Sequence, residues 1–389
     1  MPRLLRYTRN VVIALATVYL LLFATTRVIH YPEPLAAIRL GLAPASKTPT
    51  LMPFHVVAPA PTPVPWSSKP EVMPASVSWD ESSIPFDEFL RYTHTNAFLV
   101  IRNGVITYEW YNKSTTAKTK LPSYSVAKTL TSIMIGQLIA QDKVKESDAF
   151  IKYFPEFKTG GSFDRITIQN LLDMQSGVGV SDNYPSGPSG WGVAIAQMYA
   201  TTDLNFFLKH NRKMAKEPGS QSVYRSVDTQ MLGFIIQKVT GTRVSDYFSK
   251  NVWQAIGAED SAFWNVDRVG GLEKTFCCFN ATARDFAKIG KLILDNGASK
   301  NNTGDVIGAK WMDRLTSPVT TLDHGWGYGA QVWHPFEGTT MLLGLHGQFI
   351  FVHPSTHTVI VKLSDEPTDD GNNEELTVGV LHDLVSSRL

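Results

Sequence analysis

The sequence predicts an α+β domain, an antiparallel sheet flanked by helices, with a largely helical subdomain inserted between the two halves of the sheet. Three observations predict it. Strand-like runs stand at both ends of the region from residue 76 onward, at 97–111 and again at 348–353 and 358–363. Apolar residues at helical spacing dominate between them, which makes one sheet completed by the C-terminal part the simplest arrangement. Asn103-Gly104 also divides the first run, and this dipeptide between apolar strands is a strong signal for a tight antiparallel hairpin.

Taken in order, the first thirty residues differ from the rest. Arg3, Arg6 and Arg9 precede a nearly unbroken apolar run over 11–24, and Arg27 closes it. The run is short for a spanning helix but has no polar face, so residues 1–30 read as a membrane anchor or an export signal rather than a core helix. No clear small-x-small cleavage site precedes Arg27. Arginines gathered before the run predict a cytosolic N-terminus, with the remainder across the membrane (a bacterial inner membrane, domain facing the periplasm) or exported. Residues 31–75 hold eleven of the twenty-two prolines. Proline removes backbone donors and favours extended chain, so this stretch is expected to be a stiff linker without a core of its own.

Residues 76–389 form the expected globular domain. Apolar spacing predicts a packed helix over 125–141, with Val126, Leu130, Ile133, Met134 and Leu138 on one face, and further helices at 168–174, 226–239 and 282–294. A chain of 389 residues with 43% hydrophobic and 18% charged residues is globular in composition. Its formal charge of +1 gives no reason to expect a nucleic-acid partner. Two cysteines, Cys277 and Cys278, are adjacent and cannot staple separated segments. The ten histidines form no metal-type cluster and no phosphate-cradling glycine loop occurs, so neither a metal nor an organic cofactor is expected.

Chemistry concentrates in three places. Ser125-Val126-Ala127-Lys128 fits S-x-x-K at the start of a predicted helix, which puts a hydroxyl and an amine one turn apart on one face. A serine needs a neighbouring base to become a nucleophile, and a lysine whose charge is disfavoured can serve. The plain alternative is a helix-capping serine and a solvated lysine. Tyr224-Arg225-Ser226 fits Y-x-S, and a phenol near an ammonium can have its pKa lowered enough to shuttle a proton. Gly344-Leu345-His346-Gly347-Gln348 leads into a strand, and its glycines would let a substrate approach backbone NH groups. His346 taken alone reads as a bonded structural histidine more readily than as a catalyst.

These motifs in this order resemble the serine β-lactamase superfamily, in particular the class C branch with its esterases, D-alanyl-D-alanine peptidases and 6-aminohexanoate-dimer hydrolases. Residues 166–178 (ITIQNLLDMQSGV) and 280–290 (NATARDFAKIG) are similar to further segments of that branch. The resemblance implies a β-lactamase/transpeptidase-like fold, Ser125 as acylated nucleophile, and Lys128 and Tyr224 sharing base and proton return. It implies oxyanion contacts from the Ser125 NH and from Leu345, or from Gln348 in the alternative alignment, with Gly344 and His346 beside them. Tyr184 and Trp191 fall in a segment similar to a substrate loop of that branch, with an ordinary surface turn as the equal alternative. The K-T-G lysine of β-lactamases is missing, which points away from strong penicillin turnover and toward a small amide or ester substrate. A D-amino-acid peptidase and a receptor that is acylated without turnover remain the alternatives.

Overall fold

The computed structural model describes residues 2–182, 194–299, 304–367 and 372–386. Among them the main sheet has eight antiparallel strands in the order Val105–Tyr111, Thr95–Arg102, Thr358–Ser364, Gln348–His353, Thr340–Gly344, Val332–His334, Gly327–Gly329 and Thr320–Thr321. The C-terminal strand thus pairs with the N-terminal hairpin, and a predominantly helical section lies between them in sequence. Asn103 and Gly104 both have positive φ, 50° and 75°, the backbone that a two-residue hairpin turn requires.

Both faces of this sheet are covered. Phe98 and Val100 pack on one side with Phe89 and Leu90 of helix Phe86–Tyr92 and with Val378 and Leu381 of helix Asn373–Ser386. Leu99 and Ile101 face helices Val126–Ala140 and Ala283–Leu294 on the other. This double burial explains why Thr95–Arg102 reads as an unbroken apolar run instead of an alternating one. Gly290 lets its helix lie directly on the sheet, since a Cβ there would sit 2.4 Å from Val359 Cγ1.

Helix Val126–Ala140 departs from the one-sided expectation. It is buried on nearly every face, polar positions Lys128, Thr129, Thr131 and Ser132 included. Sheet and helical subdomain close on it from opposite sides, which a pattern of apolar spacing alone does not reveal.

The N-terminal helix α1 spans Pro2–Val28 and is longer than its apolar run. Its stretch Leu5–Val28 has a mean hydropathy of 2.0 over its most apolar window, none of which is buried, so by length and composition it could cross a membrane.

The linker expected over residues 31–75 is corrected by the structure. Helix α2, Pro34–Leu42, is followed by strand Phe54–Val57, which pairs with Ala262–Asn265 in a second, four-stranded sheet. His55 Nδ1 lies 2.8 Å from Glu273 Oε1 with both side chains buried, and Val57 is inaccessible. Further on, Trp66 Nε1 donates to the Arg284 carbonyl and Lys69 N to that of Ile106. Prolines are compatible with this because the strand itself contains none, Pro53 and Pro59 lying outside it on either side.

Removing one member of a buried pair costs about 3 kcal/mol. His55→Ala is therefore expected to lower unfolding free energy by that order in a denaturant titration, although His55 lies outside the globular region the sequence suggests. An unchanged midpoint would make the N-terminal segment a passive wrapping.

Candidate functional site

Ser125 stands at the N-terminus of helix Val126–Ala140, and its hydroxyl makes no capping bond to the helix. The residue before it, Tyr124, has φ +43°, a left-handed conformation that costs free energy for a side chain of this size. Neighbours hold the turn in place. Ser123 N donates to the Phe279 carbonyl at 2.8 Å, Phe279 N returns a bond to Ser123 Oγ, and Val126 N bonds the Ser123 carbonyl.

Lys128, one helical turn on, is fully buried. Its Nζ donates to Ser226 Oγ at 2.7 Å and to the Phe276 carbonyl at 3.1 Å, and lies 5.1 Å from the centre of the Tyr224 ring. Burial pushes the ammonium down to about 8, while Asp182 and Asp228 oppose that fall. Asp182 lies in the cleft wall and accepts from Ser226 twice, from N at 2.8 Å and Oγ at 2.5 Å. Burial raises its carboxyl above the usual range in spite of Lys128 and these bonds. Asp228 sits deeper, bonded to Ser176, and burial lifts it to about 7.

The Tyr224 side chain lies close enough to Ser125 for that serine to lower its pKa against the rise from burial, and its ring is stacked on Trp333 at 5.5 Å. The expected lowering of its pKa is corrected here. Burial dominates and holds the phenol well above 10, with Asp182 adding to the rise, so Tyr224 keeps its proton and Lys128 is the group whose basicity is moved toward neutrality.

Across from Ser125, strand Thr340–Gly344 ends against the serine turn. A Cβ on Gly344 would lie 2.3 Å from the Ser123 carbonyl oxygen and 3.0 Å from Ser125 N, so only glycine permits the approach. Gly344, Leu345 and His346 line the same cleft as Ser125, Tyr224 and Ser226, a cavity of about 840 Å³. Gln348 is outside that lining. It is fully buried behind the loop, where its Nε2 donates to the carbonyls of His346 and Ser364. His346 has a bracing part too, with Nδ1 2.7 Å from the Glu366 carbonyl oxygen and its ring edge-on to Tyr124 at 4.9 Å, while burial lowers its pKa. Tyr184 and Trp191 lie outside the described residues.

Sequence reasoning missed Asp182, Trp333 and the Phe276 carbonyl, and gave Ser226 no task beyond its place in Y-x-S. Only Ser226 carried a local signal. The adjacent Cys277 and Cys278 are bonded to each other, and Cys277 borders the cleft beside Phe276.

A family profile named Beta-lactamase matches residues 92–382. The 6-aminohexanoate-dimer hydrolase of Paenarthrobacter ureafaciens is 28% identical over 321 residues, 77% of this chain and 80% of that protein. A Bacillus anthracis structure provisionally named as a 6-aminohexanoate-dimer hydrolase superposes with a TM-score of 0.78 at 23% identity, covering 91% of this chain and 94% of that one. An octameric penicillin-binding protein homologue from Pyrococcus abyssi gives 0.59 at 16% identity, covering 76% and 75%. The α+β architecture expected from sequence is therefore of the β-lactamase/transpeptidase type, and the chain is a hydrolase that belongs to the beta-lactamase family.

Proposed function

We propose that the chain is a serine amidase or esterase acting on a small amide or ester through an acyl-enzyme at Ser125. The observation that carries this reading is the placement of Tyr224 beside Ser125 and, against the Tyr224 ring, of a buried lysine whose pKa is pushed to about 8. Ser125 Oγ attacks the substrate carbonyl, and its proton passes toward the free-amine form of Lys128, with Tyr224 as the neutral relay between hydroxyl and amine. The same proton returns to the departing amine or alcohol. Water then repeats the sequence on the acyl-enzyme and frees the acid.

Charge on the tetrahedral oxygen is stabilised by the Ser125 NH at the helix start and by the Leu345 NH, carried to the serine turn by the close approach of Gly344. Burial of Gln348 behind the loop favours Leu345 over it for this task. No lysine occupies the K-T-G position, which disfavours recognition of a substrate carboxylate at that strand and with it strong β-lactam turnover. The name of the Paenarthrobacter relative, 6-aminohexanoate-dimer hydrolase, supports the same substrate class. We assign α1 as the anchor that holds this activity at a bacterial inner membrane, facing the periplasm.

The test compares wild type with Ser125→Ala on a fluorophosphonate and a p-nitrophenyl ester. Labelling and turnover should both vanish in the variant. Labelling without steady turnover in the wild type would instead support the acylated receptor, and labelling that survives Ser125→Ala would sink the assignment.

Two further outcomes follow from the geometry. Since the reactive form is the free amine, log kcat/KM should rise with pH and level off above about 8, where Lys128 has lost its proton. Asp182 raises that pKa, so Asp182→Asn should move the rising limb to lower pH; a shift upward would remove Lys128 from the role of base. In Gly344→Ala the new methyl must displace backbone, and a misplacement on the 1 Å scale costs on the order of 100-fold in kcat. Retained activity in that variant would show that the strand end is not part of the site.

A further inference from the structure

The chemistry proposed above occupies only part of the cleft. Another part of its wall comes from the N-terminal arm, where Leu40, Gly41 and Ala43 at the end of α2, and Thr48 after it, line the same cavity as Ser125. This arm is bonded to the domain at several separate places. The His30 carbonyl accepts from Thr201 Oγ1 and Thr202 N, and Tyr31 donates to the Ala196 carbonyl. Ser46 donates through N and Oγ to Asp365 at 2.6 and 2.7 Å, and Thr48 Oγ1 lies 3.3 Å from the Tyr124 hydroxyl.

The last two contacts matter most. Tyr124 immediately precedes Ser125, and Asp365 precedes Glu366, whose N donates to the His346 carbonyl and whose own carbonyl accepts from His346 Nδ1. The arm is thereby coupled to both segments that flank the reacting centre. Its contribution to the lining is mainly aliphatic, as are Leu322, Leu343 and Ala196 elsewhere in the wall. A cavity of about 840 Å³ is far larger than a two-carbon acyl ester needs and falls in the range that holds a drug-sized ligand.

We propose that α2 is a specificity-determining wall, and that the preferred substrates are esters or amides bearing a medium-length aliphatic chain packed against Leu40 and Ala43. This rests on the Ser125 acyl-transfer reading. Each methylene buried against such a wall is worth up to about fourfold in binding of the transition state, so kcat/KM should climb along a chain-length series.

The experiment uses the full chain with p-nitrophenyl acetate and p-nitrophenyl octanoate below its aggregation limit, and reads the ratio of their kcat/KM values. Wild type should favour octanoate. Leu40→Ser removes the apolar contact and Ala43→Trp fills the space, and each should lower the ratio at least tenfold, mainly through the KM for octanoate. Ile38→Ser, on a residue that is 44% exposed and outside the lining, should leave the ratio unchanged. A wild type without chain-length preference, or a ratio unmoved in both wall variants, overturns the proposal. Failure of the serine reading looks different: neither ester is turned over, or turnover persists in Ser125→Ala.

Discussion

The arrangement depends on one ammonium group taken out of water. A lysine with negligible access to solvent is unfavourable unless its charge is partnered or its proton given up, and Lys128 is provided with both routes. Ser226 Oγ, the Phe276 carbonyl and the faces of the Tyr224 and Phe276 rings receive the charge, while Asp182 and Asp228 set how readily the proton leaves. These groups come from helix Val126–Ala140, helix Ser226–Thr240 and the segments before and after it. Burying one amine therefore fixes how three parts of the chain meet.

The same economy governs the serine turn. A left-handed tyrosine, a serine that does not cap its own helix and a glycine pressed against backbone are each unfavourable locally. They persist because the surrounding strands over-determine them. Ser123 is bonded to Phe279 on one side, Gly344 abuts it on the other, and His346 packs on Tyr124 from the loop beyond. At this point Tyr124, Ser125 and the chain around Leu345 line the large cleft.

What the sequence revealed and what it hid have physical causes. The hairpin at Asn103-Gly104 was legible because two successive positive φ angles demand those residues. Ser125 and Lys128 were legible because one helical turn joins them, and Tyr224 because its motif opens the next long helix. Asp182 was not, since its partners Ser226 and Lys128 lie 44 and 54 positions away and nothing local marks a carboxylate that will be drawn beside an amine. The pKa of Tyr224 was misread for a related reason: proximity to a cation could be guessed, but the burial that outweighs it could not.

Proline density misled most. It correctly excludes helix and central strand from much of residues 31–75, yet it says nothing about whether extended chain is solvated or laid on a surface. Here the segment is laid on the domain, and its earlier half returns to the cleft that Ser125 lines before the strand Phe54–Val57 begins. A stretch that composition marks as a spacer thus completes both the second sheet and the wall of the cavity. The N-terminal apolar helix is consequently joined to the cleft around Ser125 by a bonded arm, from His30 to Thr48, instead of by a loose tether.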